Sequence, residues 1–158
     1  MDARAKSLLV QLLIAKSIVE GLLVVGLTVG FVFDVLPPYF EGWGEAAPHA
    51  IEGWAINKHH QSQRVEVQLF IDDQFFATMI ADRSRPDVAA AGYALDDRHG
   101  YSFQISSLSQ GSHAARVYAV HSSGGGARKT LQLVGDPIPF AVDADGVLRS
   151  IPQPFRAR

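Results

Sequence analysis

From Leu8 to Leu36 the chain is almost continuously apolar, interrupted by Gln11, Lys16, Glu20 and Asp34. A helix over this run would reach about 43 Å at 1.5 Å per residue, more than the roughly 30 Å needed to cross a hydrocarbon core. The cleanest stretch is Gly21 to Phe33. Centring the bilayer near Gly26 places the span at residues 17–36, with residues 1–16 as a cytoplasmic or interfacial segment. Pro37 and Pro38 end the helix, because proline lacks the N–H and restricts the residue before it. Tyr39, Phe40 and Trp43 then read as an aromatic belt in a linker over residues 37–48. A cleavable signal peptide fits less well. Its apolar region is about 7–15 residues and is followed by small residues at the cut, whereas VFDVLPPYFEGW has no such site.

The flanks set the expected orientation. Arg4 and Lys6 precede the run, and Asp34, Glu41 and Glu45 follow it. The positive-inside rule puts the amino terminus in the cytoplasm and the rest outside, anchored in the inner membrane. Gly26 and Gly30 form a GxxxG, which reads either as a close helix–helix contact or as the ordinary glycine content of membrane helices. Glu20 is costly in a span unless paired. Lys16, one turn earlier, can pair with it, or a partner can.

The rest of the 158 residues holds one domain. Net charge is −2, so no basic field speaks for nucleic acid. The chain has no cysteine, which excludes disulfides, thiolate metal sites and a cysteine nucleophile. Over residues 49–135 the pattern has period two. Val65, Val67, Leu69 and Ile71 alternate with Arg64, Glu66, Gln68 and Phe70, Asp72-Asp73-Gln74 turns, and Phe75 to Ala81 returns. Further alternations fall at Tyr101 to Ile105, Ala115 to Ala119 and Leu131 to Leu133, with Ala50 to Ile56 first. The expected fold is an all-β antiparallel sandwich of six to seven strands behind one transmembrane helix. Residues 136–158, with four prolines and Arg149, Arg156 and Arg158, read as an extended tail that docks on acidic partner surfaces.

The order Gly53-Trp54-Ala55, Val65-x-Val67, Ile71-Asp72-Asp73, Arg85-Pro86-Asp87-Val88, Gly100-Tyr101-Ser102-Phe103 and Gly111 to Val117 resembles a known bacterial module. That β-sandwich module opens on GWA, has an IDG hairpin and a central RPDV, and recurs beside glycosyltransferases and in cell-surface proteins. Here Asp73 stands where that family has glycine. The resemblance covers about residues 50–135. It implies an immunoglobulin-like or carbohydrate-binding-like domain and brings no catalytic residues. Trp54 then reads as core between the sheets or as a sugar-stacking face. Arg85 and Asp87 read as a loop-ordering pair or as ligand contacts.

The remaining chemistry is sparse. The six histidines have no metal spacing, and Asp72-Asp73 and Asp96-Asp97 fall in turns. Asp143-Ala144-Asp145-Gly146 starts like an EF-hand loop without its final glutamate. No serine lies in a nucleophile elbow. The expectation is a protein that is not an enzyme and carries no cofactor. Its expected role is a single-span accessory subunit that stabilises a larger bacterial membrane complex, by analogy a respiratory or photosynthetic reaction-centre–antenna assembly. Its partners are then integral-membrane subunits and lipid. The alternative is a membrane-anchored carbohydrate-binding module of the cell envelope, with a glycan as partner.

Overall fold

The computed structural model describes residues 3–34 and 40–152. The chain divides into two units at Leu36/Pro37. The first is a single helix, α1 (Ala3–Asp34), so the segment ahead of the expected span is helical too. Within it Val10–Val32 is long and apolar enough to cross a membrane, and none of that stretch is buried. The Thr28 hydroxyl donates to the Val24 carbonyl at 2.8 Å, which satisfies one polar group inside the helix. Pro37, Pro38 and Tyr39 lie outside the described residues.

The second unit is built on ten strands: β1 (Phe40–Ala47), β2 (Ala50–Asn57), β3 (Val65–Ile71), β4 (Gln74–Ala81), β5 (Arg83–Ser84), β6 (Arg98–Gln104), β7 (Gly111–Ser123), β8 (Arg128–Leu133), β9 (Ile138–Val142) and β10 (Leu148–Ser150). A five-residue helix, α2 (Pro86–Ala90), interrupts them. A four-stranded sheet runs β1-β2-β6-β5. A six-stranded sheet runs β10-β9-β7-β3-β4, with β8 also paired to β7. Every pairing is antiparallel. The sheets share one core, with Ile51, Ala55, Tyr101 and Phe103 from the smaller and Val67, Leu69, Val117 and Phe140 from the larger. This is the sandwich-like arrangement that two half-apolar sheets reach by burying one face each.

Hairpin β3–β4 shows how local chemistry sets register. Asp72 and Asp73 both take left-handed φ, at 50° and 65°, as a two-residue type I′ turn demands. Aspartate tolerates this conformation better than most residues. Both carboxylates are then held by β7. Asp72 accepts from the Ala114 amide at 3.0 Å and meets His113, and Asp73 pairs with Arg116.

Three expectations are corrected. The segment read as a linker with an aromatic belt contains strand β1, and Phe40 is a core residue of the domain. The strands number ten among the described residues, not six or seven. The segment read as an extended tail contributes β9 and β10, whose Ile138, Phe140, Val142 and Leu148 are all buried. Pro139 fits inside β9 because its carbonyl faces β10, where it accepts from the Ile151 amide at 3.0 Å. The missing N–H points the same way, past the end of a short strand, so the ladder to β7 loses nothing.

Candidate functional site

The outer face of the four-stranded sheet follows from a repeated tripeptide. Glu41-Gly42-Trp43 and Glu52-Gly53-Trp54 lie on adjacent strands, and antiparallel pairing sets Trp43 opposite Trp54 and Glu45 opposite Glu52. Side chains alternate across a strand, so the glycines face inward and the tryptophans outward. Inside, the Tyr101 ring fills the space the glycines leave. A Cβ on Gly44 would lie 2.5 Å from the Tyr101 hydroxyl, and one on Gly53 would lie 2.6 Å from its Cζ. The hydroxyl donates to the Trp43 carbonyl at 3.1 Å. Burial pushes the Tyr101 phenol well above its ordinary pKa, so it acts only as a neutral donor that pins the Trp43 backbone.

Outside, Trp54 is half-buried. It packs on Ile56, Val88 and Ala94 rather than between the sheets, which corrects its placement in the main core. The Tyr93 ring sits beside it, centroids 5.1 Å apart and tilted by 34°. Trp43 and Tyr93 are 46% and 44% exposed, so two large aromatics flank a third in solvent. The Arg85 stem lies over Gly100, where an added Cβ would stand 2.7 Å from Arg85 Cγ. Its guanidinium donates to both Asp87 oxygens, Nε to Oδ1 at 2.8 Å and Nη2 to Oδ2 at 2.6 Å. This pair holds the Asp87 carboxyl below its usual range and Arg85 above its own. Both residues belong to the turn that carries α2, where the Val88 amide donates to the Arg85 carbonyl at 3.0 Å.

A polar row runs alongside the aromatics. Ser102 Oγ donates to Glu52 Oε1 at 2.8 Å, and Gln104 Nε2 donates to Ser102 Oγ at 3.2 Å. Glu45 is exposed and joins no ion pair among the described residues. Trp54, Arg85 and Asp87, singled out from sequence, therefore gather on one face. Trp43, Tyr93, Glu45 and Glu52 complete it, and the Glu-Gly-Trp repeat was the available signal for two of them, Trp43 and Glu52.

Other polar groups are spent locally. The His113 imidazole bridges Asp72 Oδ2 at 2.6 Å and the Ser109 carbonyl at 2.9 Å. Two acceptors require two ring N–H groups, and the Asp72 contact raises the His113 pKa. This pair borders a hollow of about 240 Å³ with Phe75, Phe76 and Leu108. Neither His113 nitrogen is left to act as a base there. Fully buried His99 has Nε2 3.3 Å from Asp96, itself bound by Arg64 at 2.9 Å, and burial lowers its pKa. Among the described residues no three His, Asp or Glu side chains converge to hold a metal ion. Arg149 pairs with Asp143 at 3.2 Å within its own β-hairpin, while Arg156 and Arg158 lie outside the described residues.

On the helix, Lys16 Nζ stands 3.5 Å from Glu20 Oε1, one turn apart. Gly26 and Gly30, four residues apart, have open space where a Cβ would sit. Comparison with known proteins finds no matching family model, no matching curated protein and no matching solved structure.

Proposed function

We propose that this chain is a single-span membrane protein, amino terminus in the cytoplasm, whose extracytoplasmic domain is a non-catalytic glycan-binding module of the cell envelope. The observation that carries this reading is the aromatic face. Trp43, Trp54 and Tyr93 sit together on one outer sheet surface, and two of the three are nearly half exposed. Contiguous exposed aromatics in a folded domain mark interaction sites. Flat indoles beside a row of carboxylate, hydroxyl and amide groups suit sugars, which offer an apolar C–H face and a hydroxyl rim. The resemblance of residues 50–135 to the GWA–RPDV module supports the same reading. The full chain in mild detergent should bind at least one of a panel of neutral, N-acetylated and amine-bearing oligosaccharides, and Trp43→Ala should lose that binding while keeping the fold. A chain that binds none of them overturns the reading.

The accessory-subunit reading stands second. The open glycine side of α1 at Gly26 and Gly30 favours it, because small residues let membrane helices approach closely. Its other support weakens, since much of the expected docking tail consists of the domain's own strands. Replacing both glycines with leucine should release the chain from any larger particle that co-migrates with wild type in mild detergent. Wild type running alone as a small particle would dispose of this second reading.

A further inference from the structure

We infer that the glycan taken by this face carries free amino groups: an oligomer of a 2-amino-2-deoxy sugar in its ammonium form. The inference rests on the glycan-module reading and narrows it. Glu45 and Glu52 are register partners on adjacent strands. Like charges placed directly opposite each other destabilise a sheet unless something offsets them.

Among the described residues neither carboxylate forms an ion pair, and the one nearby cation whose charge both of them feel, Arg85, is hydrogen-bonded elsewhere. Lys58 is engaged with Glu41 at 2.8 Å, and the Arg85 guanidinium closes on Asp87 through two hydrogen bonds. Arg83 is the partner of Gly100 on edge strand β5. Two strand spacings, about 10 Å, separate it from the strand of Glu52, and three, about 14 Å, from that of Glu45. One carboxylate is held in place by its Ser102 hydrogen bond, and the other faces solvent.

The aromatic pair lies one step along the same strands. Trp43 and Glu45 share a face of β1, as Trp54 and Glu52 share a face of β2, each separated by about 7 Å, the scale of one sugar ring. A sugar stacked on the indoles can direct an ammonium at the carboxylates and form charge-assisted hydrogen bonds. The same ammonium gains from the negative indole face beside it. An N-acetyl group forfeits both contributions. A uronic or sulfated sugar meets repulsion from Glu45 and Glu52. The expected order is free amine, then N-acetyl, then acidic.

The test uses the full chain in mild detergent and follows tryptophan fluorescence. The probes are a glucosamine oligomer, its fully N-acetylated counterpart and a short oligolysine. The glucosamine oligomer should bind about tenfold tighter than the acetylated form, with a preference that shrinks as salt rises. Glu45→Gln with Glu52→Gln should erase that preference, leave residual binding on the aromatics and melt at or above the wild-type temperature, because the like-charge pair is relieved. Trp43→Ala should weaken both oligomers together. Equal affinity for the two oligomers, or a preference that survives the double glutamine variant, overturns the amine inference and leaves the glycan reading standing. Oligolysine binding as tightly as the amino sugar also overturns it, pointing to basic peptide instead. Binding of no saccharide of any kind removes both.

Discussion

Truncation before Asp136 takes away strands β9 and β10, and with them four buried side chains: Ile138, Phe140, Val142 and Leu148. Burying an aliphatic or aromatic side chain of this size stabilises a fold by about 1.5–3 kcal/mol, so the four together contribute roughly 6–12 kcal/mol. A domain of this size has a net stability of about 5–15 kcal/mol. The truncated domain should therefore fail to fold. A milder version separates packing from chain length. Phe140 is fully buried (0% exposed) in the shared core. Phe140→Ala should cost about 3–5 kcal/mol, which lowers the melting temperature by about 12–20 °C in a domain of this length. Arg149→Ala serves as the control, because that side chain is 74% exposed and, among the described residues, pairs with Asp143 alone. The assay is thermal melting of the full chain in mild detergent, followed by near-ultraviolet circular dichroism. A truncated or Phe140→Ala protein melting within about 2 °C of wild type would refute the reasoning and restore a dispensable tail. A consequence follows for assembly experiments. Loss of a complex on deleting residues 136–158 reports an unfolded domain, not a severed clamp.

Histidine titration by NMR should separate two rings, with His113 above 6.5 and His99 below it. The His113–Asp72 pair then stabilises the fold below pH 6.5 and is lost as pH rises through the raised His113 value. It is lost on the acid side as Asp72 protonates, below 3.8. His99 works in the opposite sense, since its lowered value makes stability fall as pH drops below 6.5, and reversed positions of the two rings would contradict this account. Gly53→Ala should destabilise the domain by about 1–3 kcal/mol or more, because the new Cβ meets the Tyr101 ring and the Trp43 carbonyl. An unchanged melt would deny that the glycines make room for Tyr101. A periplasm-only reporter fused after Arg158 should be active, and activity of a cytoplasm-only reporter at that site would reverse the proposed orientation.

Much of the strand pattern is legible in the residues, and the misses have specific causes. Val65–Ile71 alternates cleanly and forms β3 with those bounds. Strand β1 is hidden because Gly42 and Gly44 lower its β-propensity and two glutamates make it look like a loop. Its rationale is the Tyr101 ring, which is remote in sequence and adjacent only in the fold. Strand β9 is hidden because proline dominates its surroundings, although Ile138, Phe140 and Val142 alternate within it. What makes Pro139 harmless is the neighbour its carbonyl faces, which is a property of sheet order. The candidate site divides in the same way. Arg85 and Asp87 were noticeable as a close pair of opposite charges, whereas Trp54 was ambiguous between core and surface.

The residues by themselves determined the long apolar helix, the period-two segments and the two-aspartate turn, because each depends on neighbours within a few positions. The tertiary structure decided which face of each strand is inside, which strands pair, and that residues after 136 complete the core. It alone brought Trp43, Trp54, Tyr93, Glu45 and Glu52 to one surface. A period of two says that faces alternate, but not which face meets the other sheet. That choice is made by the side chains that fill the inner face, and here it is the Tyr101 ring, from a neighbouring strand of the same sheet, over Gly44 and Gly53 that turns the tryptophans outward.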